Sequence, residues 1–143
     1  MNDDVTDLRK GDRFLVAEAV EGTFGATPVA LLNMSLGGAQ LLHAQPLRIG
    51  TRAMLTFRHA GEGASVNVIV VWSHLSQTAE GLRYHSGVKL DAPDVSYARA
   101  LNAFVRAGIA KPDKESLERK RQREMEKEQR RKSSPKISLP LVQ

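Results

Sequence analysis

Six short runs of apolar, aromatic and β-branched residues, each ended by glycine or a polar turn, constrain this chain most. They occupy residues 13–20, 27–32, 39–43, 52–58, 65–73 and 81–90. Within 52–58, Ala53, Leu55 and Phe57 fall on one side of an extended strand and polar residues on the other. Short strands at near-regular spacing, with glycine-rich connections, predict a mainly β fold built as a small antiparallel barrel. Glu21-Gly22 and Phe24-Gly25 are expected to break or bulge the first strand, Gly61-Glu62-Gly63 to turn the fourth into the fifth, and Gly81–Leu90 to be the last strand.

The period changes after residue 94. Val95, Ala98, Leu101 and Val105, with Ala100 and Phe104 beside them, predict a helix whose apolar face packs on the barrel. Asp94 is its expected cap and Gly108 its stop. From Lys111 onward charge replaces apolar pattern. Pro112 suits a helix start, and Ser116–Lys132 is rich in helix formers, with only Leu117 and Met125 apolar. Pairs such as Glu115/Arg119 and Glu126/Arg130 support a solvated helix, and no heptad seam argues for a coiled coil. Ser133-Ser134-Pro135 ends it, and Ile137–Val142 forms a short apolar tail. Two regions are thus expected: 1–110, barrel plus helix, and 111–143, a basic helical extension with a disordered end.

The charge follows the same division. Residues 1–110 hold ten Lys/Arg and ten Asp/Glu, so the whole net charge of +5 resides in 111–143. The basic tail is a candidate contact for an acidic partner, whereas a neutral body with few aromatic residues lacks the usual stacking platform of an RNA-binding barrel. The absence of cysteine excludes disulfides and thiolate chemistry. The acidic start Met1-Asn2-Asp3-Asp4 has no apolar region of a signal peptide, and Val68–Trp72 is too short to span a bilayer, so a cytoplasmic protein is expected. His43, His59, His74 and His85 lack metal-ligand spacing, and His85 is expected at the surface. No nucleophile–base constellation or carboxylate pair is apparent, so neither catalysis nor a metal or cofactor is expected.

Two polar segments remain. Arg9-Lys10-Gly11-Asp12-Arg13 sets two guanidiniums four positions apart around a glycine, and Asn33-Met34-Ser35-Leu36-Gly37-Gly38 forms an NxSxxG turn. A guanidinium stays charged, forks onto phosphate and stacks on purines, while Asn and Ser offer donors and acceptors to a base edge. Either segment alone reads equally as ordinary structure. Two solvated arginines would give the first, and a hairpin with Asx-type bonds and a positive-φ Gly38 the second.

Together, in this order, they resemble the RxxxR…(D/N)xSxxG signature of PilZ domains, the bacterial receptors for cyclic di-GMP. Val70-Val71-Trp72-Ser73 and Ser86-Gly87-Val88-Lys89-Leu90 resemble that family's last two strands, so the resemblance runs from about Leu8 to Leu90. It implies a non-catalytic receptor in which Arg9 and Arg13 grip phosphates, at least one covering guanine, with Asn33, Ser35 and Gly38 at the base. Lys10, Gly37 and Trp72 are further candidates. Position 33 more often carries Asp in the family, and Asn keeps the geometry while changing the donor pattern. Leu8 stands where a third arginine tends to accompany a stacked ligand dimer, which favours one ligand per protomer. The implied output is a surface altered by the ligand and read by a downstream protein. The alternatives are a PilZ-type adaptor that binds only protein and a small RNA-binding barrel.

Overall fold

Alternating burial along the strands turns the sequence pattern into a closed sheet. The structure is a computed structural model that describes residues 12–113, 118 and 121–131. Its strands are β1 (Phe14–Phe24), β2 (Thr27–Ser35), β3 (Gly38–His43), β4 (Arg52–His59), β5 (Glu62–Thr78) and β6 (Gly81–Leu90). All pair antiparallel in the order β2-β3-β6-β5-β4-β1, and β1 returns to pair with β2, so the sheet closes in a ring. Leu55 and Phe57 of β4 and Val66, Val68 and Val70 of β5 point inward, where they meet Val20, Leu31, Met34, Leu41 and Val88. Intervening positions such as Thr56 and Asn67 face out.

Helix α1 (Val95–Ala107) packs on β5 and on Phe57. The Asp94 side chain accepts from the Tyr97 backbone N–H, and Gly108, left-handed at φ 78°, closes the other end. The face it buries is the expected one at Ala100, Leu101 and Phe104 but not in the first turn. Tyr97, Ala100, Leu101 and Phe104 are buried, while Val95 is 72% exposed in the first turn. The stripe at i, i+3, i+4 and i+7 begins at Tyr97, whose hydroxyl finds a partner inside.

Three other expectations are corrected. β1 runs unbroken through Gly22, which pairs with Val29 on one side and Phe57 on the other, and its irregularity lies earlier, between Leu15 and Val20. β5 does not stop at Ser73 but continues to Thr78, where a turn at Ala79 and Glu80 leads into β6. Nor is β6 the last strand. β7 (Ala110–Pro112) follows α1 and pairs with Phe14–Val16 at the start of β1.

By its contacts the chain divides into Met1–Pro112 and Asp113–Gln143. In the second unit, residues 121–131 are helical, Met125 is 68% exposed, and Arg131 pairs with Glu128 at 2.8 Å. Leu117, the Glu115/Arg119 pair and the Ile137–Val142 tail lie outside the described residues. Among the described residues no helix is long and apolar enough to cross a membrane.

Candidate functional site

The ladder carries one row of residues across four strands. Asn33 of β2 lies opposite Gln40 of β3, Gln40 opposite Gly87 of β6, and Gly87 opposite Trp72 of β5. Directly opposed residues share a face, so this row lies on the outside of the ring. Arg13, at the mouth of β1, joins it together with Ser35, Gly37 and Gly38, and these side chains and backbones line one shallow concavity of about 210 Å³. Of the residues expected at the site, Arg13, Asn33, Ser35, Gly37, Gly38 and Trp72 are thus brought together, and Arg9 and Lys10 lie outside the described residues.

Each polar group has a definite setting. Asn33 is 8% exposed and donates its Nδ2 to Gln40 Oε1 at 2.9 Å, which leaves its carbonyl oxygen and a second N–H for a ligand. The same Gln40 oxygen accepts from His85 Nε2 at 3.0 Å. His85 is therefore not a plain surface residue: it is half-buried, and its ring meets Trp72 edge-on at 5.1 Å and His74 at 5.2 Å. Trp72 stacks flat on His74, 5.2 Å between centroids with 10° between planes. Burial lowers the His85 pKa first, and the charges of His74 and then His43 lower it further.

Two glycines shape the floor. An added Cβ at Gly87 would sit 2.3 Å from Trp72 Nε1, so the missing side chain lets the indole lie across β6. A register shift between Val70 and Trp72 re-aims that indole onto the outer face. Gly38 departs from its expected role, because its φ is not positive. A Cβ there would meet the Val88 carbonyl oxygen at 2.3 Å, so glycine is required by the close approach of β6.

The turn is also held from behind. Tyr97 of α1 donates its hydroxyl to the Gly38 carbonyl at 2.6 Å, and the Leu90 N–H bonds the Gly37 carbonyl at 2.9 Å. Burial raises the Tyr97 pKa, which keeps the phenol protonated as a donor.

The family model for the PilZ domain matches residues 7–107. The chain belongs to the PilZ domain family. Searches of curated proteins and of solved structures find no match. The matched span takes in both motifs, the strand ring and α1, and PilZ domains in general are receptors for cyclic di-GMP.

Two larger hollows suit such a dianion less well. One of about 310 Å³ beside the motif turn is largely apolar, with Lys89 and Asp91 as its charged residues and Asp91 already paired with Arg52 at 3.1 Å. Another of about 550 Å³ carries the carboxylates of Glu21 and Glu80 against the one guanidinium of Arg83. Among the described residues no group of His, Cys, Asp and Glu has the arrangement of a metal site.

Sequence reasoning did not single out for the site Gln40, which lines the concavity, or His74, His85 and Tyr97, which contact residues that line it. Gln40 was within reach, because a two-residue turn after Ser35 places it opposite Asn33. Tyr97 had no local signal, since its partner is far away in the chain.

Proposed function

We propose that this PilZ domain is a non-catalytic receptor for cyclic di-GMP. The observation that carries the reading is the convergence of Arg13, Asn33, Ser35 and Trp72 on one concavity, with both family motifs intact in the sequence. Arg13, and Arg9 from the preceding segment, take the phosphates through charge-assisted hydrogen bonds. Asn33 and Ser35 read a guanine edge, and the Trp72 indole offers a ring face beside them. Gln40 holds the Asn33 amide in orientation.

Binding fastens the N-terminal segment onto the ring and so creates a new surface for a downstream protein, a population shift driven by the ligand's preference for the fastened state. One ligand per protomer is expected, because Leu8 supplies no third guanidinium. The basic extension is the second candidate contact for that partner.

Isothermal titration of the full chain and of residues 1–112, which retain β7, tests the reading. Both are expected to bind cyclic di-GMP with similar affinity and a stoichiometry near one, and to ignore a generic oligonucleotide. A folded protein that binds no cyclic dinucleotide would leave the adaptor reading, and one that prefers the oligonucleotide would move function to the basic extension.

A further inference from the structure

Beside the dinucleotide concavity sit two imidazoles that neither motif requires. His74 and His85 are 5.2 Å apart by ring centroid, and both rest against Trp72, which lines the concavity. His85 also reaches Gln40, and through it Asn33, by hydrogen bonds of 3.0 and 2.9 Å. We infer that His85, set against Trp72 and His74 and bonded to Gln40, takes up a proton when the anionic dinucleotide seats beside it, so that receptor occupancy depends on pH as well as on messenger concentration. The inference rests on the reading of the concavity as a cyclic di-GMP site.

The free protein resists charging His85, first through its burial. His74 and then His43 of β3 act on it in the same direction, and Arg13 contributes a fixed positive charge to the neighbouring concavity. Among the described residues no Asp or Glu lines the concavity. Bound phosphodiesters, which stay ionised through the whole physiological range, reverse the sign of the local field and favour imidazolium. By linkage, a ligand that promotes proton uptake must bind more tightly as pH falls.

Protonation leaves the site intact. His85 Nε2 already carries the hydrogen given to Gln40, so the new proton goes to Nδ1 and the Gln40–Asn33 contact persists.

The test is titration calorimetry of the full chain with cyclic di-GMP at about pH 6 and about pH 8, in two buffers of unlike protonation enthalpy. Carboxylates and arginines are constant across that range, which leaves the imidazoles and the α-amino group, and the double substitution below separates them. The expected result is net proton uptake, with affinity higher by about three- to tenfold at the lower pH. Trp72 is the single tryptophan, so its fluorescence follows the same titration, and its midpoint is expected to move to higher pH with ligand bound. His74→Asn combined with His85→Gln, which preserves a donor to Gln40, is expected to bind with a flattened pH profile. Tight binding of the parent chain with no proton uptake overturns this inference and leaves the receptor reading standing, as does a pH dependence that survives the double substitution. Absence of binding at every pH overturns both.

Discussion

At the scale of single residues, charge and clearance divide the work of the site. Arg13 is exposed at the mouth of β1 and buries no core surface, so Arg13→Ala is expected to leave the fold unchanged. A hydrogen bond to a charged group is worth about 1.5–3 kcal/mol, which predicts a loss of roughly ten- to more than a hundredfold in cyclic di-GMP affinity. Arg9→Ala is expected to behave alike. Ser35→Ala removes a neutral hydrogen bond worth about 0.5–1.5 kcal/mol and should cost roughly tenfold or less. Calorimetry on the variants, with circular dichroism to verify folding, checks the ranking, and an Arg13→Ala protein that binds like its parent removes that residue from the site. Gly87→Ala tests the floor. Its methyl group displaces the Trp72 indole, so both tryptophan emission and affinity should change while the interior, on the other face of β6, keeps its packing.

Elements explain why some of this was legible in sequence and some was not. The two motifs name Arg13, Asn33 and Ser35 directly, and the tight turn of residues 36 and 37 sets Gln40 opposite Asn33. The pairing of His74 with His85 and of Trp72 with Gly87 follows equally from the turn at Ala79 and Glu80. Ending the fifth strand at Ser73 hid it, because the polar stretch Ser73–Thr78 lacks the apolar alternation of a strand with one buried face. Its pairing with β6 supplies what the pattern does not. β7 was invisible for another reason: three residues ending in proline make a strand only because the start of β1 lies beside them. Gly38 and Tyr97 couple these elements, which gives a prediction. Gly38→Val drives a side chain into the Val88 carbonyl and must separate β3 from β6, so it should unfold the domain more readily than it alters a bound base. Tyr97→Phe keeps the ring packing but leaves the Gly38 carbonyl without its buried partner, at a cost of about 1–3 kcal/mol. Urea denaturation is expected to show the valine variant as the less stable of the two. The opposite order would mean that the turn is held mainly from α1 and only weakly limited by β6.

For the whole molecule, stability and ligand response meet in the histidines. His43 points into the ring, where its Nδ1 bonds the Gln45 carbonyl at 2.6 Å and its Nε2 lies 2.8 Å from Ser86 Oγ. Burial lowers its pKa, and the bond to Gln45 raises it by less; His85 is lowered by burial, then by His74 and His43. Both rings therefore bind fewer protons in the folded chain than in the unfolded one as pH falls below the ordinary histidine value of 6.5. The slope of unfolding free energy with pH is positive wherever the unfolded state holds more protons. The contribution of these groups is thus fully present above pH 6.5 and declines as the pH passes down through the folded-state values. Urea unfolding midpoints measured from about pH 8 to about pH 5.5 should be level at the upper end and fall at the lower. His43→Gln should reduce the fall, because an amide can bond the Gln45 carbonyl and the Ser86 hydroxyl without titrating. Saturating cyclic di-GMP should reduce it as well, since a ligand that favours charged His85 offsets the penalty that the free fold imposes on that charge. A midpoint that drops equally with and without ligand would mean that the acid sensitivity belongs to His43 and the ring interior alone.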